Sequence, residues 1–481
     1  MALPDFPTSS AVPRSAIRAA LAAAIALLAI GLVPASAQAK HGQPLLFDTG
    51  ARLLVPQTRD ATFAELQDLG VDGVRIAVSW RSVAPDPTGQ ERPSGNLSDP
   101  AAYDLSQVAA AVEGAKARGW KVVLTVSSPV PRWGTEGARD TLTNPRPSDF
   151  QHFMTALGRR LGPSVDWWAI WNEPNLFKFL LPQYLKGKPA APLLYRRLFL
   201  AARAGLDAAD LPKARMLMGE TAPRGNGRDR IAPLAFLRGV LCLDAHYKRR
   251  GSCARLPADG YAHHPYTTPA GPFFVPTQVD DVTMGAMGRL ESALDKAARA
   301  GAVKKRLPVF ITEFGVQSYP DRSLGVPLDR QADFRSIAER MSWSDPRIAA
   351  FSQYLLEDDQ PALDQPPARR YPGFESGIKT AAGKRKPVYE GFRLPLTAQP
   401  TRAGVTLWGL VRPATGATRV TVQRADRGGS FRTVFTVKTK SDGSWTAKTS
   451  NRSGRTWRVV WADPDGVTHT GPRTKAYSDP R

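Results

Sequence analysis

Eight short apolar runs, spaced by amphipathic ones, constrain this chain more than anything else in it. The runs are "PLLFDTG" (44–50), "DGVRIAVSW" (72–80), "WKVVLTVSS" (120–128), "WWAIWNEPN" (167–175), "ARMLMGE" (214–220), "DGYAHHPY" (259–266), "LPVFITEFG" (307–315) and "IAAFSQYLL" (348–356). Between them the helical period recurs near 62–70, 105–119, 149–162, 192–210, 231–241, 284–301 and 330–342. Continuous apolar runs are what strands buried on both faces require, and their alternation with helices implies a parallel sheet. Four predicted helices stop at Gly70, Gly119, Gly162 and Gly301, residues suited to a helix C-terminus. Eight such units in about 350 residues predict a (β/α)8 barrel over 44–395. No G-x-G-x-x-G follows the first strand, which weakens a dinucleotide-binding open sheet.

The pattern changes near residue 396. "GVTLWGLVRP", "TRVTVQRA", "FRTVFTVKT", "GSWTAKTS" and "TWRVVWAD" are short alternating runs between Gly, Asp, Asn and Ser. They predict a small immunoglobulin-like β-sandwich over 397–481, an accessory domain. It holds 15 Lys/Arg and 5 Asp/Glu, a large share of the net charge of +22. The arginines are otherwise spread along the chain without an aromatic-interleaved nucleic-acid motif, so nucleic acid is not the expected partner. An anionic cell-envelope polymer remains compatible with the charge.

At the N-terminus, Arg14 and Arg18 precede "AALAAAIALLAIGLV" and then "PASAQA". This is the pattern of a signal peptide cleaved near Ala37 or Ala39, leaving an exported protein with no stable membrane span; an uncleaved anchor is the rival. Cys242 and Cys253 are the only cysteines, and in an oxidising compartment they are expected to pair.

Catalytic groups of a (β/α)8 barrel sit at the C-terminal strand ends. Those ends offer Arg75, Asn172–Glu173, His264–Tyr266 and Glu313. Two glutamates closing strands four and seven can face each other across the barrel mouth. Glycosidic bond cleavage needs such a pair, one carboxyl protonated to help the leaving oxygen and one ionised to attack carbon or activate water. Arg75 could lower the pKa of Glu313, Tyr266 could donate to the same carboxylate, and Asn172 could hold a sugar hydroxyl. His263 and His264 are adjacent on a strand and so point to opposite faces, a poor metal pair. No metal or cofactor is expected. The triplet "DTG" (48–50) matches an aspartic protease motif but stands alone, without a second lobe carrying its own copy. The acidic run Glu357–Asp359 reads as a solvated loop, with lining of the cleft as the alternative.

"WNEPN" together with "ITEFG" resembles the clan of retaining glycoside hydrolases built on (β/α)8 barrels, most nearly families 39 and 5. The resemblance spans about 44–395. It implies that Glu173 is the acid/base and Glu313 the nucleophile. "HPY" (264–266) is similar to the clan's His-x-Tyr on strand six, Arg75 to its strand-two arginine, and 375–393 to the segment whose helix closes the ring. One departure concerns the sugar floor: strand eight, "FSQYLLEDD", lacks the tryptophan that many family 5 members place there. Tyr354 or Trp133 could substitute, and Trp80 is a further stacking candidate. The expected function is retaining hydrolysis of a poly- or oligosaccharide. The alternatives are a catalytically silent carbohydrate-binding protein on the same scaffold and an adhesion protein working through the basic sandwich.

Overall fold

The computed structural model describes residues 42–366, 369–413 and 416–477. The expected signal segment, 1–39, lies outside the described residues. Eight parallel strands close a barrel: β1 (Leu45–Asp48), β2 (Gly73–Ser79), β3 (Lys121–Ser127), β4 (Trp167–Ile170), β5 (Met216–Thr221), β6 (Gly260–His263), β7 (Val309–Phe314) and β8 (Ile348–Tyr354). Each strand pairs with its sequence neighbours, and β1 pairs with β8 to seal the ring. Eight helices follow the strands: α1 (Pro56–Asp68), α2 (Ser106–Ala117), α3 (Pro147–Leu161), α4 (Ala191–Asp207), α5 (Pro233–Val240), α6 (Met287–Arg299), α7 (Leu328–Ser344) and α8 (Pro387–Arg393).

The helix starts follow proline. Helices α1, α3, α5 and α8 each begin at a proline, whose missing N–H costs nothing in the first turn and whose φ is already helical. This is why α1 starts six residues before the apolar period that marks it in the sequence. Gly70, Gly119 and Gly301 end their helices with φ near +70°, as expected. Gly162 caps α3 as well, but with a φ of −39° that carries the chain into a 3-10 turn.

The barrel interior is filled at its base by Leu46, Val123, Ala169, Leu217, Ala262, Phe310 and Ala350, with Trp167 packed against them. Alanines opposite Phe310 and Trp167 leave room for the large rings. Strand alternation carries this set upward to polar side chains, Val123 to Thr125 and Phe310 to Thr312, both fully buried. The larger core lies between the strands and the helix ring.

Beyond α8, strands β9 (Leu396–Thr401), β10 (Gly404–Gly409), β11 (Arg419–Ala425), β12 (Arg432–Lys438), β13 (Trp445–Thr449), β14 (Thr456–Ala462), β15 (Thr468–Thr470) and β16 (Thr474–Lys475) form two antiparallel sheets. One is ordered β9-β10-β13 and the other β12-β11-β14-β15, with β16 also on β14. Leu407, Val422, Trp457 and Val459 belong to a core that both sheets share. The unit packs on α7: Arg412 and Arg335 both pair with buried Glu339, Thr474 donates to Asp333, and the rings of Trp343 and Trp408 lie 6.2 Å apart. Cys242 and Cys253 form a disulfide, Cα–Cα 6.2 Å. No helix among the described residues is long and apolar enough to cross a membrane.

Candidate active site

The polar residues above the barrel's apolar base converge on Arg75. This arginine lies third in β2, not at the strand's C-terminal end as expected from sequence, and its side chain climbs to the mouth from below. Its Nε and Nη2 donate to Glu220 Oε1 and Oε2 at 2.9 and 2.7 Å. Its Nη1 donates to Glu313 Oε1 at 2.7 Å and to Asp48 Oδ2, and its Nη2 to Asn172 Oδ1 at 2.8 Å. Arg75, Asp48 and Glu220 are buried.

Backbone irregularity places the carboxylates. The β5–β6 register slips between Gly219 and Thr221, which turns Glu220 inward. The β7–β8 register slips between Phe351 and Gln353, so Glu313 enters the barrel although Thr312 before it already does. Trp171, Glu173 and Glu220 take φ of +70°, +39° and +46°, conformations that cost a non-glycine residue about 1–3 kcal/mol and that gather at functional sites. The Glu173 N–H donates to Glu220 O at 2.9 Å, and the Asn172 N–H to Ser127 Oγ at 2.9 Å. These bonds fix the segment that carries Glu173.

His264 joins the two glutamates. Its Nδ1 lies 3.1 Å from Glu173 Oε1 and 3.4 Å from Glu313 Oε2. Tyr266 donates its hydroxyl to Glu313 Oε2 at 2.9 Å. His263 turns the other way, to Thr221 Oγ1 and Val282 O, as alternation predicts. Among the described residues Asn172 Nδ2 meets no hydrogen-bond partner while its Oδ1 accepts from Arg75, and this leaves it donors for a ligand.

Four carboxyls face one guanidinium and one imidazole here. Burial, with Asp48 and Glu173 adding to it, pushes the Glu313 carboxyl up to about 7, against the opposing pull of His264 and Arg75. Burial likewise raises Asp48, only partly offset by Arg75. Burial would raise Glu220 too, but Arg75 outweighs it and holds Glu220 below the usual range. Burial works against charge on His264, yet Glu313 and Glu173 outweigh it and raise its pKa. The two carboxylates thus favour the charged form of the His264 ring that lies between them. Glu173, His264 and Glu313 place one donor atom each within 4.8 Å of one another, the one metal-compatible trio among the described residues. The Arg75 guanidinium already on Glu313 opposes a second cation there.

Tyr354 lies beside this centre, its ring 6.3 Å from Tyr266 and 5.1 Å from Phe374. Trp133 does not join it. Its ring is fully buried, edge-on to Trp80 at 5.7 Å, with its Nε1 bonded to Pro85 O. Neither Trp133 nor Trp80 offers a face to a sugar; both pack under the β2 and β3 loops. The Glu357–Asp359 run is not a plain solvated loop: Asp358 is buried on Lys386 Nζ at 2.6 Å, and Glu357 pairs with Arg52 and Lys379. Asp48 and Glu220 are members of the site that sequence reasoning missed. Asp48 hid inside "DTG", and Glu220 ends a predicted strand like the glutamate singled out on strand seven.

A parallel eight-stranded barrel with acidic side chains gathered over its mouth is an enzyme scaffold that serves many chemistries, glycoside hydrolysis among them. Residues 39–178 match the sequence model of Cellulase (glycosyl hydrolase family 5). The fold is that of a family 39 glycoside hydrolase from Bacteroides cellulosilyticus WH2, at 15% identity over 85% of this chain and 81% of that one, TM-score 0.53. It is shared also by a glucosidase from Croceicoccus marinus, at 13% identity over 87% and 95% of the two chains, TM-score 0.53. No curated protein sequence matches the chain. The resemblance to the barrel clan of glycoside hydrolases, first visible in "WNEPN" and "ITEFG", is thus met by both sequence model and fold.

Proposed function

We propose that this chain is an exported retaining glycoside hydrolase that cleaves O-glycosidic bonds of a poly- or oligosaccharide. The observation that carries the proposal is the closeness of Glu173 and Glu313, whose oxygens both approach His264 Nδ1 and lie within 4.8 Å of one another. Retaining enzymes hold their carboxyls roughly 5–5.5 Å apart, and inverting ones roughly 6.5–9.5 Å to admit a water.

In the first step Glu313 attacks the anomeric carbon while Glu173 gives its proton to the departing oxygen. The new bond joins the carbon to a Glu313 oxygen, and the leaving sugar departs as an alcohol. In the second step Glu173 takes a proton from water, the water oxygen bonds to the same carbon, and Glu313 leaves as carboxylate. Arg75 and Tyr266 hold the two Glu313 oxygens throughout. The positive charge developing on the sugar favours the ionised form that burial alone resists. The steps require no cofactor. Asn172 Nδ2, His264 and Tyr266 face the sugar. The disulfide and the signal-like N-terminus support export, and the antiparallel domain is an accessory module.

The test is the anomer formed first when an activated glycoside is hydrolysed, followed by proton NMR. Retention is expected; the inverted anomer would sink the mechanism. No turnover of any glycoside would leave the carbohydrate-binding alternative.

A further inference from the structure

From Pro174 to Leu206 the chain holds six basic residues and no acidic one. The run begins directly after Glu173. Its first part, with Phe177 and Lys178, interlocks with the loop after β5, which carries Arg224, Arg228 and Arg230. The Phe177 N–H donates to Asp229 O at 3.0 Å, and the Ile231 N–H to Asn175 O at 2.9 Å. Asn175 is fully buried and clips both loops, its Nδ2 on Ala222 O and Ile231 O and its Oδ1 on the Ala222 N–H. The run continues in a hairpin, Tyr184–Leu185 with Lys188–Pro189, and the Asp229 charge reaches the Tyr184 hydroxyl. The result is a fixed lip on the Glu173 side of the mouth.

Most of the charge of this lip is unmatched among the described residues. Arg224 and Arg230 lean on single aspartates at 3.8 and 3.5 Å. Lys178, Lys186, Lys188 and Arg228 are exposed and form no ion pair among the described residues. Across the mouth, the loop after β8 is acidic, with Glu357 paired to Arg52 and Lys379 and Asp358 to Lys386. Phe177, 39% exposed, is followed directly by exposed Lys178 in this lip. An exposed aromatic ring on a positively charged lip suits a pyranose ring that carries an anionic substituent.

We propose that this lip binds the leaving-group side of an anionic glycan, whose sugars carry carboxylate or sulfate groups. The assignment to the leaving-group side rests on the hydrolase reading, since the proton donor Glu173 stands where the departing sugars must lie. The positive lip then raises the local concentration of the polymer and orients it across the two glutamates.

The test uses the full chain with Glu313→Ala, so that bound polymer is not consumed, and measures affinity for polygalacturonate, dextran sulfate and uncharged dextran at low and high salt. Binding of at least one charged polymer is expected, weakening roughly tenfold or more as salt screens it. Adding Lys178→Glu with Arg228→Glu is expected to weaken that binding at least tenfold at an unchanged unfolding temperature. The same two-charge reversal in the β-sandwich, Arg402→Glu with Lys448→Glu, is expected to change it less than threefold. Binding of polygalacturonate alone assigns carboxylates, of dextran sulfate alone sulfate esters, and of both a lip that reads charge. Equal affinity for uncharged dextran, or a larger loss from the sandwich reversal than from the lip reversal, would overturn the proposal. Failure of the hydrolase reading would show separately, as no glycoside turnover by the unaltered protein, because the binding readout needs none.

Discussion

Arg75 holds Glu220 through two parallel hydrogen bonds, Nε to Oε1 at 2.9 Å and Nη2 to Oε2 at 2.7 Å, with both side chains out of solvent. A bidentate, buried pair of this kind sets the direction of the guanidinium, and so the position of Nη1 under Glu313. Removing Glu220 takes from buried Arg75 the one carboxylate of three that it grips with two hydrogen bonds. Glu220→Ala is therefore expected to destabilise the fold by roughly 3 kcal/mol or more. The change would be read from denaturant unfolding, alongside a fall in kcat.

Glu313 shifts stability the other way. Its folded-state pKa, about 7, lies above the ordinary 4.5, so the folded protein binds its proton more tightly than the unfolded chain does. Stability contributed by this group is complete below about 4.5 and is lost as pH rises toward 7. Glu313→Gln should abolish turnover yet raise the unfolding temperature, more at pH 8 than at pH 5. An unfolding temperature lowered equally at both pH values would contradict the electrostatic account.

In the proposed mechanism the same titration governs catalysis. Nucleophilic attack needs Glu313 ionised, so kcat/KM should fall as pH drops below about 7. Asp48 raises the Glu313 pKa, and Asp48→Asn removes that charge. The acid limb of its profile should move to lower pH. A limb that stays in place in this variant would separate Asp48 from the titration.

Tyr266→Phe deletes the hydroxyl that donates to Glu313 Oε2 at 2.9 Å. Hydrogen bonds to charged groups are worth roughly 1.5–3 kcal/mol, so kcat should fall roughly 10- to 100-fold. The ring itself stays packed on Tyr354 and Phe374, so the unfolding temperature should change little.

The Cys242–Cys253 disulfide closes a short loop between α5 and β6. Replacing both cysteines with serine should cost about 2–3 kcal/mol of stability and leave kcat unchanged. Unfolding with and without reductant checks it.

The barrel could be read from the chain because its signals are local. Continuous apolar runs mark strands buried on both sides, and Glu173 and Glu313 close two of them. Helix starts were harder: the prolines that open α1 and α3 precede the apolar period. The network under the glutamates was harder still. Glu220 and Glu313 turn inward through register slips that strict alternation does not foresee. Asp48 matters only because β1 pairs with β2, a contact that sets Asp48 opposite Arg75. Trp133 misled for the opposite reason: its ring, in the loop after β3, packs inward with Trp80. Burial of that kind is decided by loop paths, which no local pattern encodes.

The central claim is that Glu313 bonds covalently to the substrate's anomeric carbon. Intact mass after incubation with activated 2-fluoro glycosides tests this most directly, on the unaltered protein and on Glu313→Ala. The account predicts a mass gain of one fluorosugar in the unaltered protein alone, mapped to Glu313. An adduct that forms equally on Glu313→Ala, or maps to another residue, would contradict it.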